Sequence, residues 1–113
     1  MLHYMKLCKE PFEQIKQNRK TVELRLYDEK RQQIKPTDEI EFTQTETGET
    51  LRVKVYALHI YADFEQLYQH FDKSQLGYAD DEEYDYKDMY AYYSLENIQK
   101  YGVVGIELKG FAL

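Results

Sequence analysis

The tightest constraint on the fold is a short stretch, Thr21–Leu26, in which Val22, Leu24 and Leu26 alternate strictly with Thr21, Glu23 and Arg25. A period of two places successive side chains on opposite faces of a β-strand. One face is apolar and the other polar, so the stretch demands a sheet with a core behind it. The expected register buries Val22, Leu24 and Leu26 and leaves Glu23 exposed to a cleft.

The rest of the chain reads as short strands punctuated by short helices. His3 to Cys8 suits a first strand. Pro11 fits the first position of a helix, where its missing N–H costs nothing. Phe12 and Ile15 give that helix one apolar face, and it is expected to end near Gln17. Asn18 can stop it, because Asn tolerates the left-handed conformation. Asp28 to Ile34 reads as a turn or a short helical piece. Asp38 to Thr43 alternates again, with Ile40 and Phe42 inward. Gly48 marks a hairpin turn within Thr45–Thr50, and Leu51, Val53 and Val55 return. The apolar positions then change parity to Leu58 and Ile60, which implies a bulge near Ala57.

Asp63 followed by Gln66 reads as a capping box, and Phe64, Leu67, Tyr68 and Phe71 share one face of a helix over about 63–72. Residues 73–82 form a loop containing Gly77. Tyr86, Met89, Tyr90 and Tyr93 recur at helical spacing, a stripe best read as core. Ser94 caps a final short helix that Gly102 stops, and Val104, Ile106 and Leu108 form the last strand. Five or six short strands with few helices point to an α+β domain built on a small closed or nearly closed barrel.

The 113 residues suffice for one domain with one modest core, 1–113. A lone cysteine, Cys8, excludes an intramolecular disulfide, which a secreted chain of this size would usually carry. Neither a membrane span nor a signal peptide is visible. The expected setting is therefore the cytoplasm.

The net charge of −6 argues against a general polyanion binder. Yet the charge is uneven. Residues 6–35 hold nine Lys/Arg against five acids, whereas residues 80–88 hold six acids against Lys87. The basic first third leaves room for a local site. The acidic run Asp80, Asp81, Glu82, Glu83, Asp85 lacks the alternation and central glycine of a calcium loop, so it reads as a solvated loop. His3, His59 and His70 have no metal-ligand spacing. No metal and no cofactor is expected. Twelve tyrosines and no tryptophan suit either a half-exposed core or a surface on which bases stack. Tyr78 and Tyr84, in or near the loop, are the better stacking candidates.

Lys20, Glu23 and Arg25 are the constellation that can carry chemistry. Glu23 and Arg25 share a strand face, and Lys20 stands at the helix-to-strand junction, within reach of it. Arg presents a planar fork to a phosphate or base edge, and Lys a mobile point charge. Glu can accept from an exocyclic amine or carry a proton. On spacing alone, the favoured reading is plainer: an Arg–Glu pair that merely solvates the sheet.

The run NRKTVELR, Asn18 to Arg25, resembles the motif of the ASCH family, in which a glycine is followed by lysine, glutamate and arginine at these spacings. Lys20, Glu23 and Arg25 match the charged positions. Pro11, Phe12 and Ile15 resemble the preceding helix, LRLYDEKRQQIKPTDEIEF the following segment, and YGVVGIEL the closing strand. Asn18 stands where the motif has glycine, and Thr37 where the family has glycine before Asp38. The resemblance implies a PUA-like β-barrel of five to six strands flanked by short helices. It also implies a cleft for RNA or a nucleoside, with Lys20, Thr21, Glu23, Arg25 and Tyr78 as ligand-binding candidates. Small bacterial members include amidohydrolases that deacetylate N4-acetylcytidine with a lysine, a threonine and an acid. Lys20 matches that lysine. Glu23 occupies the threonine's position, so an enzyme here would have to use Lys20 and Glu23, with Glu23 activating water. An acid from 80–88 could complete the cleft.

Overall fold

The computed structural model describes residues 1–109. Five strands form one curled sheet: β1 (Leu2–Leu7), β2 (Val22–Leu26), β3 (Glu39–Gln44), β4 (Thr50–Tyr61) and β5 (Val103–Lys109), in the order β1-β3-β4-β5-β2. β1 runs parallel to β3, and the other neighbours are antiparallel. Three helices flank the sheet: α1 (Lys9–Lys16), α2 (Phe64–Tyr68) and α3 (Leu95–Tyr101). This is the expected α+β architecture, its barrel present as a curled half-barrel of five strands.

The concave side of the sheet holds the first core. Met5 and Leu7 of β1, Ile40 and Phe42 of β3, Leu51, Val53 and Val55 of β4, and Val104, Ile106 and Leu108 of β5 all pack there with Phe12 and Ile15 of α1. Each of these four strands supplies alternate residues, as a pleated sheet with one inward face requires. The register slips between Val55 and Ala57, where the sequence implies a bulge. Beyond it Leu58 faces Ile106 and remains half-buried, but Ile60 is exposed. Ile60 corrects the inward expectation: β3 pairs with β4 only as far as Lys54, so this end of β4 lacks that neighbour.

A second core lies on the outer side of β2 and β5. Val22, Leu24, Leu26 and Val103 meet Phe64, Leu67 and Tyr68 of α2, Leu76, and Ile98 of α3. Gly105 leaves room between the strands and α2: a Cβ there would lie 3.2 Å from Val22 Cγ1 of β2 and 3.5 Å from Leu67 Cδ1 of α2. Three caps position these elements. The Asp63 side chain accepts from Gln66 N at 2.9 Å and starts α2, Ser94 Oγ accepts from Asn97 N and starts α3, and Gly102, at φ 71°, ends α3.

α2 is shorter than the helix expected over 63–72. The Tyr84 hydroxyl donates to the carbonyls of Tyr68 (2.7 Å) and Phe71 (2.9 Å), so a side chain from the later loop satisfies acceptors left at the helix end. The tyrosine stripe is also less regular than expected. Tyr86–Ala91 is a 3₁₀ segment in which Tyr86 and Met89 pack on the second core while Tyr90 stays exposed.

Candidate functional site

The second core sets the orientation of β2. In the antiparallel β2–β5 ladder, Glu23 stands opposite Ile106 and Arg25 opposite Val104. Residues directly opposed share a face, so Glu23 and Arg25 point to the concave side while Val22, Leu24 and Leu26 point under the helices. The apolar face is buried as expected. The polar face is not solvated, however: Glu23 is only 3 % exposed, which corrects the expectation of an exposed carboxylate. Both faces of this strand are covered.

A buried carboxylate must be paired to remain charged. Glu23 Oε1 lies 3.0 Å from Lys20 Nζ, and Glu23 Oε2 lies 3.0 Å from Arg25 Nε and 2.8 Å from its Nη2. Burial alone would push the Glu23 carboxyl up. The Lys20 ammonium and Arg25 guanidinium outweigh burial and hold it below the usual range. Arg25 is likewise lowered by burial but raised by Glu23, and the net effect is upward. The result is a fixed group of two cations and one anion.

Asn18 takes φ 62°, the left-handed cap that the motif glycine would adopt, and so turns the chain from α1 into β2. Backbone N–H groups of Arg19 and Lys20 donate to Gln14 O, and those of Thr21 and Val22 to Gln75 O. Gln14 Nε2 in turn donates to Gly77 O at 2.9 Å. Gly77, at φ 96°, presses on the Lys20 stem, and a Cβ there would stand 3.1 Å from Lys20 Cδ and 2.6 Å from Gln14 Oε1. The loop expected at 73–82 therefore clamps Lys20.

The sheet does not close by backbone pairing at this point. β1 and β2 are the two ends of the strand order. Arg25 Nη2 instead donates to Lys6 O at 2.9 Å, and Lys30 Nζ to Tyr4 O at 2.7 Å. Two cationic side chains thus take carbonyls of the β1 edge. A cavity of about 520 Å³ opens beside this seam. Lys20, Glu23 and Arg25 line it with Lys6, Cys8 and Glu10 on one side. Tyr68, Tyr78, Glu82, Asp88, Tyr92 and Tyr93 close the other.

Four of the five sequence candidates therefore line one cavity: Lys20, Glu23, Arg25 and Tyr78. Thr21 does not; its carbonyl and amide are committed to Leu108 and Gln75. Two acids of the 80–88 run, Glu82 and Asp88, do reach the cavity. Tyr78 is less available for stacking than a loop residue would suggest. Its hydroxyl contacts Tyr68 OH at 2.8 Å and donates to Asp88 Oδ2 at 2.7 Å, and its ring meets Tyr68 and Tyr84 edge to face. Burial, followed by the bonds to Tyr68 and Asp88, drives its phenol pKa far up. Tyr84 is structural as well: burial pushes it up to about 12. The sequence reading missed Tyr92, 72 % exposed at the cavity rim, and placed Tyr93 in a core stripe. Nothing in their spacing separates cavity from core.

A family model described as the ASCH domain matches residues 5–110. The chain belongs to the ASCH family. This ASCH domain has the family's PUA-like fold. It is similar to the crystal structure of the hypothetical protein PH0355, with 36 % identity and a TM-score of 0.85, covering 98 % of this chain and 100 % of that one. The solution structure of protein PF0455 from Pyrococcus furiosus is 35 % identical over the whole of both chains, with a TM-score of 0.76. ASCH from Zymomonas mobilis has 15 % identity and a TM-score of 0.64 over 96 % of this chain and 66 % of that one, a likeness of fold alone. No curated protein matches the chain. Among the described residues no helix is long and apolar enough to cross a membrane, and no cluster of three metal-ligating side chains occurs.

Proposed function

We propose that this ASCH domain is a cytoplasmic binding protein for a nucleoside, or for one unstacked base of an RNA, held in the cavity over Lys20, Glu23 and Arg25. The observation that carries the reading is the buried Lys20–Glu23–Arg25 group at a cavity walled by tyrosines. A ligand with polar edges and an aromatic face matches such walls. Three cations (Lys6, Lys20, Arg25) face four carboxylates (Glu10, Glu23, Glu82, Asp88) in the lining. That balance disfavours a run of phosphates and favours a free nucleoside over a long RNA.

Isothermal titration with cytidine, uridine, adenosine, guanosine and N4-acetylcytidine at low salt tests the reading, with short single-stranded RNA run in parallel. Saturable binding of a nucleoside, weakened in Arg25→Lys, which keeps the charge but loses the fork, is the expected result. Absence of binding, or indifference to both Arg25→Lys and Arg25→Ala, would sink the reading. Tight, steeply salt-dependent binding of the oligonucleotide would replace the nucleoside with RNA.

Amidohydrolysis of N4-acetylcytidine is the alternative. Convergence of Asp88 and Glu82 on the cavity that holds Lys20 favours it, because a hydrolase needs a group to take the proton of water. The state of Glu23 counts against it. Both oxygens are occupied by cations and the carboxyl is held low, so Glu23 is a weak base. Wild type is expected to release no more cytidine than Lys20→Ala, measured by chromatography. Faster release by wild type would establish the enzyme.

A further inference from the structure

The tyrosines of the cavity divide by what their hydroxyls do. Tyr68 and Tyr78 bond each other, and Tyr78 also donates to Asp88. Tyr92 stands at the rim, 72 % exposed. Tyr93 differs from all three. It is half-buried and lines the cavity, yet its hydroxyl has no hydrogen-bond partner among the described residues. The oxygen is not enclosed by protein, so its donor is open to what enters the cavity.

The placement of Tyr93 is fixed rather than loose. Its ring stacks on that of Phe64, with centroids 5.9 Å apart and planes 20° from parallel, and Phe64 is 1 % exposed in the second core. The phenol also lies within electrostatic reach of Arg25 and Glu23. Burial raises its pKa, Arg25 works in the opposite direction, and Glu23 adds to the rise. It is therefore a neutral donor, held by a rigid neighbour in the wall of the cavity that Arg25 also lines. A donor so fixed meets a ligand without first being ordered.

We infer that Tyr93 is a specificity-determining residue of this cavity, its hydroxyl donating a hydrogen bond to an acceptor atom that the ligand presents beside Arg25. This rests on the nucleoside-binding reading and deepens it. Bases differ in where their edges carry acceptors. A single fixed donor next to Arg25 therefore discriminates among them, which a stacking face alone does not. The role belongs to the hydroxyl and leaves the ring free to serve the fold.

Tyr93→Phe separates the two. The substitution keeps the ring that stacks on Phe64 and removes only an oxygen that no protein group uses, so the melting temperature should be unchanged. The five nucleosides named above are titrated into wild type, Tyr93→Phe and, as a control on the opposite side of the sheet, Tyr56→Phe. The best wild-type ligand should lose about three- to tenfold in affinity in Tyr93→Phe, the worth of one hydrogen bond. A nucleoside without an acceptor at that point should lose nothing, so the order of preference changes. Tyr56→Phe should match wild type throughout. Equal weakening of every nucleoside, a lowered melting temperature, or unchanged affinities would each overturn the inference while leaving nucleoside binding intact. Failure of wild type to bind any of the five would instead remove the binding reading, and the role of Tyr93 with it.

Discussion

Glu23 and Asp38 are both buried carboxylates, each gripped by three donors, yet they serve different ends. Asp38 accepts from the Met1 amine (3.2 Å), pairs with His3 Nε2 (2.8 Å) and accepts from Lys35 N (3.0 Å). Its donors come from β1 and the turn before β3, so it ties two strands together at the foot of the barrel. The hydrogen bond to His3 comes first among the causes that hold its carboxyl down to about 2. Glu23 is held by two formal cations and a weaker backbone contact, Leu24 N at 3.3 Å, and it borders a cavity. The contrast teaches that a buried acid with backbone and end-group partners is a bracket. One with two long cationic side chains beside open space is a site.

Removing the Glu23 charge should do the most damage. Glu23→Gln leaves Lys20 and Arg25 side by side, at 10 % and 14 % side-chain exposure, without a counter-charge. Breaking a buried ion group in this way costs about 3 kcal/mol, read by urea denaturation. Asp38→Asn should cost less, about 1–2 kcal/mol, because it loses charge-assisted bonds but strands no buried cation pair. If Asp38→Asn proves the more damaging, the assignment of bracket and site is reversed.

Acid sharpens the same comparison. Both carboxyls sit below their unfolded values of 3.8 and 4.5, so each contributes stability that is present above those values and lost as pH falls through the folded ones. For Asp38 the loss runs from about pH 4 to about pH 2 and is on the order of 1–2 kcal/mol after solvent screening. Stability measured across that window should fall less steeply in Asp38→Asn than in wild type. An unchanged slope would mean that Asp38 is not held low.

The smallest effect is expected beside the bracket. Thr37 sits at φ 76°, a conformation that a β-branched residue adopts only under strain. Its N–H donates to Val55 O at 2.9 Å, which holds it there. Thr37→Gly should therefore stabilise the protein by about 0.5–1 kcal/mol, detectable as a raised melting temperature. A loss of stability would show that the Thr side chain contributes more than the strain removes.

The two regions also differ in how far the sequence exposed them. Alternation in Thr21–Leu26, the stop at Asn18, the caps at Asp63 and Ser94 and the parity change at Ala57 are local signals, and each has its counterpart in the structure. Alternation says that a strand has two unlike faces, but not which face meets the barrel. The orientation of Glu23 depends on a second core built by residues some 40 to 80 positions away, Phe64, Leu67 and Val103 among them. That is why a buried ion group looked like a solvated strand face. Distance hides the tyrosines in the same way. Tyr93 shares its helical spacing with Met89, and only the position of the cavity separates a ring in the core from a hydroxyl at its edge. Tyr84, a stacking candidate by its place near the loop, is spent on ending α2. Asp38 is the clearest case, since none of its partners forms a motif.

The joint between β1 and β2 has a consequence for motion. A backbone ladder opens only when many bonds break together, whereas single side chains exchange partners within nanoseconds. Among the described residues the hydrogen bonds across this joint come from Arg25 and Lys30, so the barrel has a line along which it can widen while both cores stay packed. Amides of β1 and β2 should lose their protection in hydrogen exchange ahead of those in the β4–β5 pair. The girth of what the cavity admits is then set by the reach of two cationic side chains and not by the circumference of the sheet.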